Sequence, residues 1–155
     1  ATIMTADAKI RSRVSVMSAL VFESTPATTA PALDQATVAI VTTAGLKAAG
    51  DVELWSQSDA SYTVIPRATR DVQLGHFSPN FDRSGFAADV NVVYPIDRLE
   101  EMAADGTIGA VSDVHLSFMG AQPDATLSTT MLDTGPAAAK MLLDAGVDVV
   151  LLTPI

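Results

Sequence analysis

Cysteine is missing from all 155 residues, and that one absence excludes disulfides, thiolate metal sites and a thiol nucleophile on this chain. Positive charge is scarce: nine Lys and Arg face eighteen Asp and Glu, giving a formal net charge of −9 and a pI near 4.3. A phosphate backbone needs clustered Lys and Arg, so no nucleic-acid partner is expected. Lys9, Arg11 and Arg13 are the only local basic cluster. No apolar run approaches the ~18 residues that a membrane span needs. The opening ATIMTADAKIRSR has no apolar signal core, so export is not expected and a cytoplasmic setting is. GxxxxGK[ST] and GxSxG are absent too, which leaves no argument for a P-loop or a serine-hydrolase elbow.

What is present describes a globular chain. Apolar residues make up 48% of the sequence and charged residues 17%, and the length suits one domain with a real core. Residues 1–23 read as an N-terminal helical arm, with Ile10, Val14, Met17 and Val21 at helical spacing between Ala8 and Phe22, and Asp7 or Thr5 as the cap. STPATTAPALDQ, residues 24–35, has the composition of a linker. The main domain spans 36–155. ATVAIVTTAGL (36–46) predicts a buried strand running into a glycine turn, and SYTVI (61–65) and DVQL (71–74) predict short strands. Residues 76–90 are irregular, and NVVYP (91–95) is strand-like. Pro95 opens a helix that Gly106 ends, IGAVSDVHLSFMG (108–120) predicts a further strand, and Pro136 starts a helix over 133–146, capped by Asp133 or Thr134. VDVVLLTPI (147–155) is the last strand. Strands alternating with helices imply parallel crossovers, hence an α/β fold with an open, mostly parallel, doubly wound sheet and helices on both faces.

In such sheets ligands collect at the carboxyl ends of the strands. Here TTAG (42–45), HLSFMG (115–120) and TPI (153–155) share that edge. Thr42, Thr43, Ser117 and Thr153 offer hydroxyls, and Gly45 and Gly120 permit close backbone approach. Ordinary strand-to-helix turns use the same residue types. His76 and His115 are the only histidines and candidates for acid–base work. His76 opens the irregular loop with Asp82 six residues on, while His115 sits within a strand. Either could instead be a solvated or a packed histidine. A metal set from the two histidines with Asp82 or Asp89 is a weaker reading, because no HxH or HxxxE spacing supports it. Asp97 suits the first turn of its helix. Arg98 either pairs with Glu101 one turn on or clamps an anion, with Arg67, Arg70 and Arg83 as equal candidates for the clamp.

A long stretch carries a resemblance. His76, Asp89, Asn91, Tyr94, Pro95, Asp97, Arg98 and Leu99 are followed by Gly106, Ile108, Gly109 and then His115, Ser117, Met119 and Gly120. In this order and spacing they resemble the glycine/sarcosine/betaine/D-proline reductase selenoprotein B family, over roughly residues 36–154. VAIVTTAGL and LLDAGVDVVLLTP match it in kind. The resemblance implies Rossmann-like α/β layers and reductive cleavage of a C–N bond in a small amino-acid-derived substrate. It also implies a redox Cys or Sec just beyond a strand like VLLTP. With no Cys here, that residue, or a pyruvoyl group, is expected on a downstream segment or a partner chain. On this reading the chain is the N-terminal portion or a subunit of a hetero- or homo-oligomeric reductase. His76, His115 and Asp82 would be catalytic; Thr43, Gly45, Asp97, Arg98, Ser117, Gly120 and Thr153 would bind substrate. A non-redox module for small anions is the alternative.

Overall fold

The computed structural model describes residues 28–51, 55–79 and 81–155, together with Ala8, Ser12, Ser15 and Glu23. The helical arm expected over 8–22 therefore lies, save isolated positions, outside the described residues. The end of the expected linker, Leu33–Gln35, forms a 3-10 turn whose Leu33 carbonyl accepts the Gly109 N–H.

The centre of the fold is β1 (Thr37–Thr42), whose β-branched TVAIVT is buried along nearly its whole length. The chain then turns at Gly45, which takes φ +65°, into β2 (Leu46–Ala48). Gly45 is thus the expected glycine turn, and a second short strand follows it at once. Then follow β3 (Tyr62–Pro66) and β4 (Val72–Leu74), with β2 and β4 pairing as an antiparallel ribbon. Helix α1 (Ser84–Ala88) leads to a 3-10 turn at Val90–Val92, where a strand is expected from NVVYP. The Asp89 side chain accepts the Asn91 N–H there, which bends the backbone out of an extended path. Helix α2 (Ile96–Ala104) follows as expected.

The segment 108–120 is not one uninterrupted strand. It holds β5 (Ala110–Val111) and β6 (Val114–Phe118), both parallel to β1. They share one side of β1, because β7 (Val149–Thr153) occupies the other from Val38 to Thr42. Val38 pairs with Val111 and Val41 with Leu116, so β1 advances three residues while its neighbour advances five. Two residues are thus inserted opposite Ala39 and Ile40, a bulge that splits the strand. β3 runs antiparallel to β6 and forms the far edge. The result is a curled, mostly parallel mixed α/β sheet. Alternation along β1 sends Val38 and Ile40 into a cluster with Ile96 and Leu99 of α2. Ala39 joins Leu116, Ala138 and Leu142 on the opposite face.

The last helix also differs from expectation. α3 (Asp124–Thr129) continues through a π turn at Thr130–Thr134 into α4 (Gly135–Asp144), so Pro136 lies within a helical run rather than at its start. Pro136 has no N–H to give to the preceding turn, and a π turn absorbs such a mismatch. The Gly135 N–H donates to the Thr130 carbonyl five residues back. A Cβ on Gly135 would lie 2.5 Å from that oxygen. Gly135→Ala should therefore lower stability by about 1–3 kcal/mol, read by urea unfolding. An unchanged midpoint would show that the helix can straighten.

Candidate functional site

The carboxyl ends of β1, β6 and β7 meet at one edge of the sheet, as expected. Their hydroxyls, however, close the backbone on itself. Thr42 Oγ1 accepts the Ala44 N–H (3.2 Å), and Ser117 Oγ accepts the Leu46 N–H (2.7 Å). Thr43 Oγ1 accepts the Ile155 N–H (2.8 Å), and Thr153 Oγ1 donates to the Val93 carbonyl (3.0 Å). These residues stitch strand tips to loops. Gly120 sits where two of those loops meet: a Cβ there would lie 2.7 Å from the Thr43 carbonyl oxygen and 3.0 Å from that of Ile155.

Beside this ridge lies a pocket of about 380 Å³ walled by His76, Phe81, Asp82, Val93, Gly120 and Ala121, among others. A smaller hollow of about 300 Å³, bordered by Thr43, Gln122 and Thr130, also touches Gly120. His76 is only 6% exposed and stacks on Phe81 with ring centroids 4.6 Å apart. Its Nδ1 accepts the Ser78 N–H (3.3 Å), which assigns the proton of the neutral ring to Nε2. That buried Nε2 has no hydrogen-bond partner among the described residues. Burial, then the nearby Arg83 charge, hold the His76 pKa below its ordinary value. At neutral pH the ring is thus a hydrogen-bond donor seeking an acceptor, not a cation.

The loop holding His76 is wrapped around Arg83. Its guanidinium donates to the carbonyls of His76 (2.6 Å), Ser78 (3.2 Å) and Phe81 (3.1 Å). Asp82 Oδ1 accepts from the Ser84 N–H (2.9 Å) and hydroxyl (2.7 Å) at the start of α1. Those two bonds hold its carboxyl below the usual carboxylate range, so it stays ionised.

The other candidates lie elsewhere. His115 is fully buried inside the sheet, bordering none of these pockets, and its Nδ1 accepts the Ile40 N–H (3.0 Å) beside the bulge. Its ring meets Tyr94 edge-on at 5.6 Å. Burial, helped by the charges of Arg67 and Arg70, pushes the His115 pKa down to about 4. Asp97 exchanges hydrogen bonds with Asn91 and faces Arg70 at 3.5 Å. Arg98 pairs with Glu101 (2.8 Å), both 60% exposed. Arg67 and Arg70 converge on Glu100. Gly45 packs against Met119 and the His76 backbone. The pocket thus gathers His76, Asp82 and Gly120, but not His115, Asp97 or Arg98. Among the described residues no three His, Cys, Asp or Glu cluster to hold a metal ion.

Sequence reasoning misses Phe81, Ala121 and Gln122. Gln122 donates to the carbonyls of Met119 (2.9 Å) and Asp59 (2.8 Å), fixing the segment after Gly120. The Gly and Pro around AQ in MGAQP are the available signal.

A mixed α/β protein with a strand-tip cleft and a buried donor histidine is the class that fold and site define. Residues 15–155 match the family described as Glycine/sarcosine/betaine reductase selenoprotein B, and the chain belongs to that family. It is 34% identical over 123 residues to the D-proline reductase subunit gamma of Acetoanaerobium sticklandii, covering 78% of this chain and 49% of that protein. It is 30% identical over 130 residues to the glycine reductase complex component B subunit gamma of Carboxydothermus hydrogenoformans, covering 78% of this chain and 28% of that protein. The chain thus spans half or less of the length of these relatives. No solved structure matches. Among the described residues, no helix is long and apolar enough to cross a membrane.

Proposed function

We propose that this chain holds the substrate for a reductase complex of the selenoprotein B type, one that cleaves a bond of a small amino-acid-derived molecule reductively. The observation that carries this reading is the buried Nε2 of His76, without a partner among the described residues, in the strand-tip pocket of a chain from this family. The sequence holds no cysteine. A Cys or Sec, or a pyruvoyl group, on a segment outside these 155 residues would bring the redox chemistry. His76 then orients the substrate by donating Nε2–H to an acceptor atom, and its stacking on Phe81 fixes that direction. Gly120 lines the pocket and lets the Thr43 and Ile155 carbonyls close against it, and Asp82 keeps a negative charge at the pocket wall. A Rossmann-like arrangement, a cytoplasmic setting and an oligomeric assembly belong to the same reading.

The test combines the chain with the remaining components of a D-proline or glycine reductase complex and offers D-proline, glycine, sarcosine and betaine. Substrate-dependent reduction is expected with at least one. His76→Gln should lower kcat/KM by about 100-fold while circular dichroism stays unchanged. Turnover unaffected by His76→Gln would remove the histidine from the site. Tight binding with no turnover in the complete assembly would favour a non-redox module for small anions instead.

A further inference from the structure

The two edges of the sheet are built differently. Among the described residues β3, on one side, pairs only with β6 and ends in Pro66, which has no N–H to offer a further strand. Among the described residues β7, on the other side, pairs only with β1 and has no such protection. Its sequence is a continuous Val-Val-Leu-Leu run without charge, the composition of a strand inside a parallel sheet rather than at its margin. Among the described residues both faces of that margin are also partly open. Leu151 is exposed on the face that carries Ile40, and Val150 and Leu152 on the opposite face, with Leu152 66% open. Beside Leu152 an apolar groove of about 490 Å³ runs along α4, lined by Ala139, Leu143, Val150 and Leu152 among others, and Leu143 is 72% exposed. An exposed edge with apolar residues on both faces needs a strand for its hydrogen bonds and a helix or loop for its sides.

We propose that the outer edge of β7 and the α4 groove receive a strand and an adjoining apolar segment from the part of the family's chain that lies outside the matched region. Length argues for this occupant over a second copy: the matched region makes up only 49% of D-proline reductase subunit gamma, so that protein holds ample chain to supply both elements. The added strand lies parallel to β7 and makes it an interior strand. Because β7 ends at Thr153, beside the pocket ridge, the docked strand brings its own carboxyl end next to that pocket. The inference rests on family membership and not on the chemistry proposed for His76, so either can fail alone.

Hydrogen exchange tests it. The 155-residue chain is compared with the same chain co-expressed with the unmatched portion of D-proline reductase subunit gamma. Association should slow the β7 amides that face away from β1 by about tenfold or more. Leu151→Lys, at an already exposed position, should abolish that protection and the association itself. In intact D-proline reductase subunit gamma the strand aligned with β7 should exchange as slowly as the strand aligned with β1. Fast exchange of that strand in the intact relative overturns the proposal, whether or not the separated portion folds. Formation of a dimer by the 155-residue chain alone, dissolved by Leu151→Lys, also overturns it in favour of a second copy.

Discussion

His115→Leu should destabilise the fold by about 3–5 kcal/mol, and His115→Asn by clearly less. The reason is the bulge opposite Ala39 and Ile40. The Ile40 N–H donates to the imidazole Nδ1 there, and leucine would leave that buried donor without a partner. Asparagine can present its side-chain oxygen instead. The same geometry sets a pH dependence. In the unfolded chain this histidine has its ordinary pKa of 6.5, and in the fold the value falls to about 4. The unfolded state therefore binds the proton first as pH falls. The stability that neutral His115 contributes is complete above about pH 6.5, declines between 6.5 and 4, and is lost below that. The full change is on the order of 3 kcal/mol. Denaturant midpoints at pH 7.5, 5.5 and 4.5 would measure it. His115→Asn should flatten the profile over that window; an equally steep decline in the variant would assign the acid sensitivity to other groups.

Gly120→Val should cost about 3 kcal/mol and close the mouth of the pocket. A Cβ at this position meets two carbonyl oxygens, of Thr43 and Ile155, and neither is the end of a flexible side chain. Relief requires the strand-tip loops to part, which would pull Ile155 from the Thr43 hydroxyl. The expected signature is coupled: a lower urea midpoint together with loss of binding for whichever small substrate the wild type takes. Lost stability with intact binding would show that the ridge can yield without disturbing the pocket.

Much of this fold is legible in sequence where a local pattern and a pairing agree. Thr37–Thr42 and Val149–Thr153 are uninterrupted apolar, β-branched or leucine runs, and they form the strands within the expected segments 36–46 and 147–155. The break at 112–115 leaves one trace in the sequence, the adjacent polar pair Ser112 and Asp113, but only pairing with β1 reveals two residues too many. Pro136 misleads for a related reason. A missing N–H fits a helix start and a π turn equally well, and continuity with Asp124–Thr129 decides between them. At the site, His76 and Gly120 can be picked out from a long loop and a strand tip. The use of Thr42, Thr43, Ser117 and Thr153 cannot, since a hydroxyl that bonds its own backbone and one that bonds a ligand look alike in one dimension. The i,i+3 pairing of Arg98 with Glu101 is local, and it is found as one of the two expected readings has it.

The loop around Arg83 has a consequence for how this family could diversify. Its three bonds go to main-chain carbonyls, at His76, Ser78 and Phe81, and a carbonyl is the same group whatever side chain its residue carries. The loop's path is thus set by one side chain and is nearly indifferent to the identity of the residues it encircles. A position such as Phe77 is free to change in size and polarity, whereas Phe81 is held by its stacking on His76. New specificities can then arise by altering the lining of the pocket without re-inventing the loop that frames it.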